Sequence, residues 1–522
     1  MDVAAVSTAT PAMHCPIARL ALLAALLGWA LSCRAQTVAP PARIDMEHAV
    51  ATAIDGTPMA YEIGTLSVPE NRDNADSRPI QVGFARVKAS RPSGAPPIFL
   101  LAGGPGTTML DIVLDRDDTA RRRIKAWQAY AEVADLVVVE QRGYTLRGDR
   151  MELDTPALPL DQPMTTAQDI AITRDLARRA QAAYPRADLS GYSIAQIADD
   201  VDDLRKALGY DRISLVAASF GSQWAFAVLK RHPGRVARAV ISATEPLDAG
   251  YDQPSQVFAA FQRIAAEADQ APALAPYLPA GGMIAAMQAT RERLAAGPVR
   301  VEVEHDGTRQ QVVLGLEDYQ LALVTYSENA ATFPRFVLSA YHGHYDAWAR
   351  DAIAWRAPQM RALINPLINI GLDMSAPRKR LLWSDPALPL LGRWNFAAYL
   401  ATKGEWATAD AGDALRAPVL DPTPVLFVQG DWDTSTPLEN TLALLPYFPN
   451  SRTVLLHRAQ HNGTFALLRS RPQLAAKVYA FLRDGDTRGL PADAALDPVA
   501  FAAPAFPAPV PGIAPAAVVG RR

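Results

Sequence analysis

The sequence predicts an α/β fold, in which helices flank a mostly parallel sheet. Short apolar runs such as PPIFLLAGG, ADLVVVEQRG, ISLVAAS and PVLFVQG are continuous, as expected of strands that are buried on both faces. Helical patterns separate these runs: in SIAQIADDVDDLRKALG the apolar residues from Ile194 to Leu208 fall on one face, and Gly209 ends the helix. This alternation of strand and helix along the chain is typical of α/β architectures.

The chain of 522 residues is long for one compact core, which predicts two domains or one domain with a large insertion. A long interval between two strand-like runs holds mostly helical patterns, together with a hairpin signal at Asp306-Gly307. We interpret residues 244–423 as a mainly helical cap inserted into a core of residues 56–243 and 424–486.

The amino-terminal residues have the pattern of a secretory signal. A basic residue precedes the apolar run LALLAALLGWAL, which is too short to span a bilayer as a stable anchor, and SCRAQ then ends the segment at the small residue Ala35. We expect residues 1–35 to be removed on export to the periplasm or the extracellular space, with Met1 or Met13 as the start. The alternative is a lipoprotein attached at Cys33, although ALSC lacks the leucine with which a lipobox usually begins.

Composition limits the classes of function. Both cysteines, Cys15 and Cys33, lie in the signal segment, so the mature chain has no thiol for a disulfide, for catalysis or for a thiolate metal site. The 51 basic and 54 acidic residues give a net charge of −3, which favours neither nucleic acid nor an anionic membrane surface as a partner. We expect no integral membrane span in the mature chain.

Two segments of low complexity flank the predicted core. Residues 36–55 are expected to be a linker, since APPA follows the signal segment. Residues 487–522 are dominated by Pro and Ala and are expected to be a tail, either poorly ordered or docked as extended chain.

The stretch ISLVAASFGSQWAFAVLKRHPGRV places Ser219 where an apolar strand turns at once into a helix. Esterases and peptidases hold a nucleophilic serine at such a strained turn, with a small residue two positions before it and a glycine, here Gly221, two positions after it. The alternative from this stretch alone is a serine that only caps the helix.

Acyl transfer by a serine also needs a base and an acid that orients the base. Asp431 and Asp433 follow the strand in PVLFVQGDWDTSTP, and His461 follows the strand in RTVLLHRAQHN, in which His457 still lies within the strand. The chain order Ser219, Asp433, His461 is the order of triads built on a strand-to-helix elbow.

The oxyanion of such a reaction needs backbone donors. FLLAGGPG offers Gly103 and Gly104 after a buried strand, where no side chain hinders the approach of N–H groups, although such a turn can also be purely structural. It lacks the spacing and the Lys-Ser/Thr ending of a phosphate loop. HGHYD, from His342 to Asp346, contains ligand types but has no further ligands in view, so we expect a packing or surface role there and no metal site.

Five motifs in order resemble the serine peptidases of the α/β-hydrolase fold, specifically the proline iminopeptidase and tripeptidyl aminopeptidase-like family. LAGGPG resembles their His-Gly-Gly-Pro-Gly turn, LVVVEQRGYTLRG their Asp-Gln-Arg-Gly loop, and AASFGSQWAF their Gly-Gly-Ser-Tyr-Gly elbow; VQGDWDTSTP and RAQHN resemble the acid and histidine segments. The similarity covers roughly Ile63 to Arg483 and is weakest in the cap. It implies an eight-stranded sheet with the cap inserted before the last two strands.

The resemblance also implies residue roles. The triad is Ser219, Asp433 rather than Asp431, and His461, with oxyanion donors from Phe220 and from the Gly103-Gly104 turn.

The chain departs from the family at three positions. Ala102 stands where the family has His, Glu140 where it usually has Asp, and Ala217 where the elbow has its first Gly. These changes leave the substrate class open more than they affect the triad.

In the aminopeptidase branch, carboxylates hold the free amino group of the substrate. Glu245 in ISATEP and Glu328 in TYSENAATFP are candidates, although each can also be a helix N-terminal or solvated carboxylate. We therefore expect an exported serine hydrolase that cleaves short peptides without a cofactor. The alternatives are an esterase or other ester or amide hydrolase with the same triad, and a catalytically silent binding protein of the same fold.

Overall fold

Ten strands form the main sheet of the computed structural model, which describes residues 43–248 and 250–509. Their order is β1-β2-β3-β5-β4-β7-β8-β12-β13-β14. The strands of the described residues are β1 Arg43–Thr52, β2 Pro58–Pro69, β3 Pro79–Val87, β4 Ile98–Leu101, β5 Leu136–Val139, β6 Glu152–Asp154, β7 Ile213–Ser219, β8 Val236–Thr244, β9 Val299–His305, β10 Thr308–Leu314, β11 Met360–Ala362, β12 Val425–Gly430, β13 Arg452–His457 and β14 Asp493–Ala495.

The helices of the described residues lie mostly between these strands. They are α1 Asp111–Leu114, α2 Asp118–Ala131, α3 Thr166–Ala183, α4 Ile194–Ala207, α5 Phe220–Arg231, α6 Pro254–Ala268, α7 Gly282–Ala296, α8 Leu316–Ser327, α9 Phe333–Tyr341, α10 Asp346–Arg356, α11 Ile364–Leu372, α12 Ala376–Trp383, α13 Leu388–Leu391, α14 Ala397–Thr402, α15 Asp413–Arg416, α16 Leu438–Leu444, α17 Gly463–Ser470 and α18 Pro472–Asp484. Short 3-10 helices add Leu189–Gly191, Ala275–Tyr277, Lys403–Glu405 and Leu445–Tyr447.

The sheet is mostly parallel, which confirms the predicted α/β class. The strands β1, β2, β3 and β5 are joined antiparallel, and every neighbouring pair from β5 to β14 is parallel. Alternate residues of β5 enter different hydrophobic clusters: Leu136 and Val138 pack into one, and Val137 and Val139 into the other. Since successive side chains of a strand point to opposite faces, the sheet is buried on both faces.

We expected eight strands in the sheet, but the structure has ten, because β1 lies at one edge and β14 at the other. β1 pairs with β2 over its whole length, so the predicted linker 36–55 is wrong for its described part, which begins at Arg43. The segment was overlooked because β1 is an edge strand that is mostly exposed, and RIDMEHAVAT carries little of the apolar signal of a buried strand.

At the other edge, β14 lies in the predicted tail and pairs parallel with β13, so three strands rather than two follow the cap. The described part of the tail then runs extended across the cap. Phe501 packs near the Trp432 ring, with ring centroids 6.2 Å apart, and the Tyr277 hydroxyl donates to the Phe506 carbonyl at 2.8 Å. Of the two forms expected for the tail, poorly ordered or docked as extended chain, the described part has the docked form.

The segment between β8 and β12 has its own hydrophobic cluster, in which Phe261, Tyr319, Phe333 and Trp348 are buried. It also contains the predicted hairpin, formed by β9 and β10. Asp306 and Gly307 both have positive φ, at 50° and 71°, as a tight two-residue hairpin turn requires. Part of this segment thus packs on a hydrophobic cluster of its own, whereas Leu363, Ile364 and Leu367 join the core of the main sheet. The segment lies in sequence between β8 and β12, which are neighbouring strands of the sheet.

The predicted signal segment, with Cys15, Cys33 and Ala35, lies outside the described residues. Among the helices of residues 43–248 and 250–509, none combines the length and the apolar character needed to cross a membrane.

Candidate active site

Ser219 is the last residue of β7 and stands directly before α5, as predicted. Its backbone has φ 58° and ψ −138°, a region that residues other than glycine rarely adopt. Such strain persists only where the surrounding structure imposes it, and it is concentrated at functional sites. Here α5 packs tightly on the sheet: a Cβ on Gly221 would lie 2.5 Å from the Leu101 carbonyl oxygen. Only glycine at this position leaves room for the turn.

Asp433 lies in the loop after β12 and is fully buried. Its Oδ1 accepts the backbone N–H groups of Ser435 and Thr436 at 3.0 and 2.8 Å, and its Oδ2 accepts the Thr436 hydroxyl at 2.6 Å. A buried carboxylate held by several donors is fixed in position. Asp433 can therefore orient a neighbouring imidazole.

Asp431, the other acid in this loop, has different partners. Its Oδ2 lies 2.9 Å from Nδ1 of His457, and its Oδ1 accepts the backbone N–H of Arg458 at 2.9 Å. The structure thus separates two aspartate-histidine pairs that are close in sequence. His461, by contrast, places Nδ1 3.2 Å from both carboxylate oxygens of Asp433.

The approach of the histidine loop to the acid loop depends on a glycine at the end of β12. A Cβ on Gly430 would lie 2.2 Å from the carbonyl oxygen of Ala459 and 2.8 Å from that of Gln460. These contacts are with backbone atoms that cannot turn away. The absence of a side chain at Gly430 therefore allows His461 to reach Asp433.

The His461 imidazole is strongly biased towards its protonated form. Burial alone would lower its pKa, but the hydrogen bond and charge of Asp433, followed by the charges of Glu245 and Asp252, raise the pKa of His461 to about 9. The ring remains accessible, with 35% of the side chain exposed. Its second nitrogen, Nε2, is the one available to a reacting group, since Nδ1 faces Asp433.

The Ser219 hydroxyl makes no hydrogen bond to His461. It donates to Oε1 of Glu245 at 3.4 Å, and among the described residues it has no other side-chain partner within hydrogen-bonding distance. The register of the sheet explains this neighbour, because Ser219 pairs with Thr244 across the parallel strands β7 and β8, and Glu245 follows directly. Ser222 fixes both residues: its Oγ donates to the Ser219 carbonyl at 2.6 Å and accepts the Glu245 N–H at 2.8 Å.

Two carboxyl groups face this site with raised pKa values. Burial, followed by the charge of Asp252, raises the pKa of Glu245 to about 8, against the opposing effects of His461 and the Ser219 hydroxyl. Burial and the charge of Asp433 raise the pKa of Asp252 to about 7, and Asn440 donates to its Oδ1 at 3.4 Å. Asp252 was not among the residues predicted from the sequence. An acid just before a helix is so common that GYDQPS carried no distinguishing signal.

The glycine turn after β4 lies against the nucleophile. A Cβ built on Gly103 would be 3.5 Å from Cβ of Ser219 and 3.8 Å from its Oγ, which is ordinary contact distance. Phe220 is the first residue of α5, where backbone N–H groups have no acceptor within the helix. The turn of Gly103 and Gly104 and the start of α5 thus both adjoin Ser219, where an oxyanion site needs its donors.

Gln141 holds the glycine turn in place and was not singled out from the sequence. It is fully buried, its Nε2 donates to the Gly103 carbonyl at 2.8 Å, and its Oε1 accepts the Gly106 N–H at 2.7 Å. Its neighbour Glu140, which departs from the family pattern, accepts the backbone N–H groups of Met109 and Leu146 at 3.1 and 2.7 Å. The loop after β5 therefore supports the turn from behind.

Glu328 directly follows α8 and is exposed, so its carboxylate is not built into the site as that of Glu245 is. Its chain neighbours do contact the triad loops: the Ser327 hydroxyl donates to Thr434 Oγ1 at 2.8 Å, and Gln460 donates to the Ser327 carbonyl at 2.8 Å. Glu328 therefore lies on the chain beside the site, with its side chain in solvent.

The histidines of HGHYD have packing roles. His342 Nε2 lies 2.8 Å from the Tyr277 carbonyl oxygen, and the His344 ring stacks on Phe506 of the tail with centroids 3.8 Å apart. No group of three or more His, Cys, Asp or Glu within residues 43–248 and 250–509 is arranged to hold a metal ion.

Comparison with known families gives two matches. A family described as "alpha/beta hydrolase fold" matches residues 96–277, which include the glycine turn, the elbow and Glu245. A family described as "TAP-like protein" matches residues 395–493, which include Asp433 and His461. A search of curated proteins found no match.

Several solved structures resemble the chain remotely. An esterase from Exiguobacterium antarcticum is 12% identical, with 80% of this chain and 98% of that chain covered and a TM-score of 0.33. Esterase RhEst1 from Rhodococcus sp. ECU1013 is 14% identical, with 84% and 100% covered and a TM-score of 0.35. The 2-hydroxy-6-oxo-6-phenylhexa-2,4-dienoate hydrolase from Rhodococcus sp. strain RHA1 is 13% identical, with 84% and 100% covered and a TM-score of 0.33.

Proposed function

We propose that this chain, which has the α/β-hydrolase fold, is an exported serine hydrolase that removes residues from the amino end of short peptides. The observation that carries the chemistry is the strained Ser219 at the end of β7, beside the Asp433–His461 pair and the glycine turn. The observation that carries the substrate class is Glu245, whose carboxyl group touches the nucleophile.

The reaction proceeds through an acyl-enzyme. Neutral His461 takes the proton from the Ser219 hydroxyl at Nε2 while Oγ attacks the carbonyl carbon of the scissile bond. The resulting imidazolium donates that proton to the leaving amine as the carbon–nitrogen bond breaks. Water then attacks the ester, with His461 again as base, and releases the acid and free Ser219. Asp433 holds Nδ1–H throughout and stabilises the imidazolium.

The oxyanion that forms at the carbonyl carbon is stabilised by backbone donors. Phe220 N–H at the start of α5 is favourably placed because the helix end carries partial positive charge and its first N–H groups have no intrahelical acceptor. The second donor comes from the turn at Gly103 and Gly104, which Gln141 keeps rigid. Removal of one donor of this kind typically costs a factor of about 100 to 1,000 in kcat.

Preference for a free amino terminus follows from the charge around Ser219. A carboxylate next to a nucleophile repels a developing oxyanion unless a cation accompanies the substrate. The ammonium group of a peptide supplies that cation when it binds Glu245, and its charge favours the ionised forms of Glu245 and Asp252, whose pKa values are raised in the free enzyme. The match to the TAP-like family over residues 395–493 supports the same substrate class.

The test is the hydrolysis of short peptide anilides with free amino termini, measured against their N-acetylated twins. We expect kcat/KM to be at least about tenfold higher for the free amines, since one charge-assisted hydrogen bond contributes about 1.5–3 kcal/mol. Ser219→Ala should abolish both activities. Equal rates on the twins, or hydrolysis of simple esters alone, would leave a serine esterase, the alternative that Ala102 in place of the family histidine favours.

Export is inferred from the amino-terminal segment. It rests on the apolar run that begins at Leu20 and on the small residue at Ala35, where cleavage is expected. Cleavage there leaves the described fold intact, because its first strand begins at Arg43.

A further inference from the structure

The partner of the Ser219 hydroxyl is the unusual feature of this site. A serine that is ready to react donates its proton towards the base, but here Oγ donates to Glu245 Oε1 at 3.4 Å, and no His461 contact lies within hydrogen-bonding distance. The contact is not incidental, since Ser222 bridges the Ser219 carbonyl and the Glu245 N–H at 2.6 and 2.8 Å. The two residues are also held together by the register of β7 and β8.

We propose that Glu245 restrains Ser219 in the free enzyme, and that a primary ammonium group which binds Glu245 releases the hydroxyl to His461. The inference rests on the proposed aminopeptidase function and adds a regulation to it: the substrate's amino group both anchors the peptide and activates the nucleophile. The enzyme then discriminates in favour of substrates with a free amino terminus through the reactivity of Ser219 as well as through binding affinity.

The physical basis is competition for one carboxylate. An ammonium group carries three strong donors and a full charge, whereas the serine hydroxyl offers one neutral donor at a long distance. The cation therefore displaces the hydroxyl from Glu245. In the proposed triad, the alternative acceptor for the hydroxyl is His461. The same cation offsets the negative charges of Glu245 and Asp252, which raise the pKa of His461, and so favours the neutral imidazole.

If Glu245 only bound the substrate, it would not affect the reaction of Ser219 with reagents that have no amino group. A restraint on the Ser219 hydroxyl, by contrast, slows that reaction as well. A fluorophosphonate reacts with an activated serine irrespective of an amino site, so its rate of labelling reports the state of Ser219 itself. In the free enzyme this rate should be low, and a small ammonium ion that occupies Glu245 should raise it.

The experiment measures the second-order rate constant for fluorophosphonate labelling at constant pH and ionic strength, with ethylammonium or tetramethylammonium chloride added. Ethylammonium should accelerate labelling of the wild-type protein roughly two- to tenfold, the range that corresponds to one intramolecular hydrogen bond. Tetramethylammonium, which has the charge but no N–H donor, should accelerate it much less. Glu245→Ala should label faster than wild type without any amine and should not respond to ethylammonium.

Glu302→Gln is the matched control, since Glu302 is an exposed acid of the cap hairpin whose ion pair, within the described part of the chain, is with Arg309 at the surface. It should respond to ethylammonium as wild type does. The restraint is refuted if ethylammonium leaves wild-type labelling unchanged or slows it, or if it accelerates Glu245→Ala equally. Thermal unfolding of each variant shows whether it is folded, and the wild-type amine response decides the matter without any variant.

The outcomes separate this inference from the proposed function. Preference for free-amine anilides without an effect of ethylammonium on labelling would retain the aminopeptidase and remove the restraint. Absence of labelling at Ser219 under all conditions would remove both.

Discussion

At the scale of single residues, the site is defined by charge. Three carboxyl groups, Glu245, Asp252 and Asp433, surround one imidazole, and each stabilises its protonated form. The free enzyme therefore holds His461 mostly as the cation at neutral pH, although catalysis needs it neutral. The substrate's own positive charge can reverse this balance, which ties the state of the base to the presence of the correct substrate.

The pH dependence of the rate follows from these pKa values. Because only neutral His461 acts as a base and its pKa in the free enzyme is about 9, kcat/KM for a simple ester should rise with pH towards a midpoint near 9 and fall steadily from pH 8 to pH 5. Glu245→Gln removes one of the charges that raise this pKa, so its midpoint should move to lower pH. Each unit of the shift increases the neutral fraction of His461 at pH 7 by about tenfold.

The midpoint is measured from the pH dependence of kcat/KM for p-nitrophenyl acetate. The proteins compared are the wild type, Glu245→Gln and the surface variant Glu302→Gln. The surface variant should keep the wild-type midpoint. A rate that is constant between pH 5 and 8, or a midpoint that Glu245→Gln leaves in place, would contradict the assignment of His461 as the base under the influence of Glu245.

At the scale of elements, the site is assembled from the carboxyl ends of neighbouring strands. β4 leads into the glycine turn, β7 ends at Ser219, β8 is followed by Glu245, and β12 and β13 are followed by the loops that carry Asp433 and His461. Because the carboxyl ends of parallel strands lie at one edge, residues far apart in sequence meet there. The close fit of the last two loops depends on Gly430.

Gly430→Ala should both destabilise the protein and reduce its activity. Its Cβ would meet the backbone of Ala459 at 2.2 Å, so one of the two loops must move, and overpacking of this kind costs about 1–3 kcal/mol or more. The same movement would separate Asp433 from His461. Gly404→Ala is the matched control, since a Cβ on Gly404 meets no atom within 4 Å.

Urea unfolding and ester hydrolysis should be measured on both variants. Gly404→Ala should stay within about 0.5 kcal/mol of wild type and keep full activity. If Gly430→Ala proves as stable and as active as Gly404→Ala, the tight approach of the two loops is not required.

At the scale of the whole molecule, the terminal segments complete the fold. β1 and β14 extend the sheet at its two edges, and the described part of the tail lies across the cap. The described fold includes the residues from Arg43 onwards, whereas the expected signal ends before them.

The chain of 522 residues expressed in a bacterial host should therefore be exported and processed near Ala35, with a mature amino terminus near Gln36. Mass spectrometry of the exported protein measures the cleavage site, and mass spectrometry of the unprocessed precursor separates a start at Met1 from one at Met13. Cys33→Ala should leave export and processing unchanged. A mature chain that begins at a lipid-modified Cys33, or an unprocessed chain in the cytoplasm, would contradict this prediction.

The sequence by itself determined the α/β class, the elbow at Ser219 and the short set of acids and bases at strand ends, because strand-to-helix turns and buried strands leave local patterns in the chain. Only the tertiary structure decided which groups meet. It paired Asp433 with His461 and Asp431 with His457, brought Glu245 to the Ser219 hydroxyl, and added Asp252, Gln141 and the edge strand β1. These depend on the register between strands and on the approach of loops, which are contacts between distant residues and leave no local pattern to read.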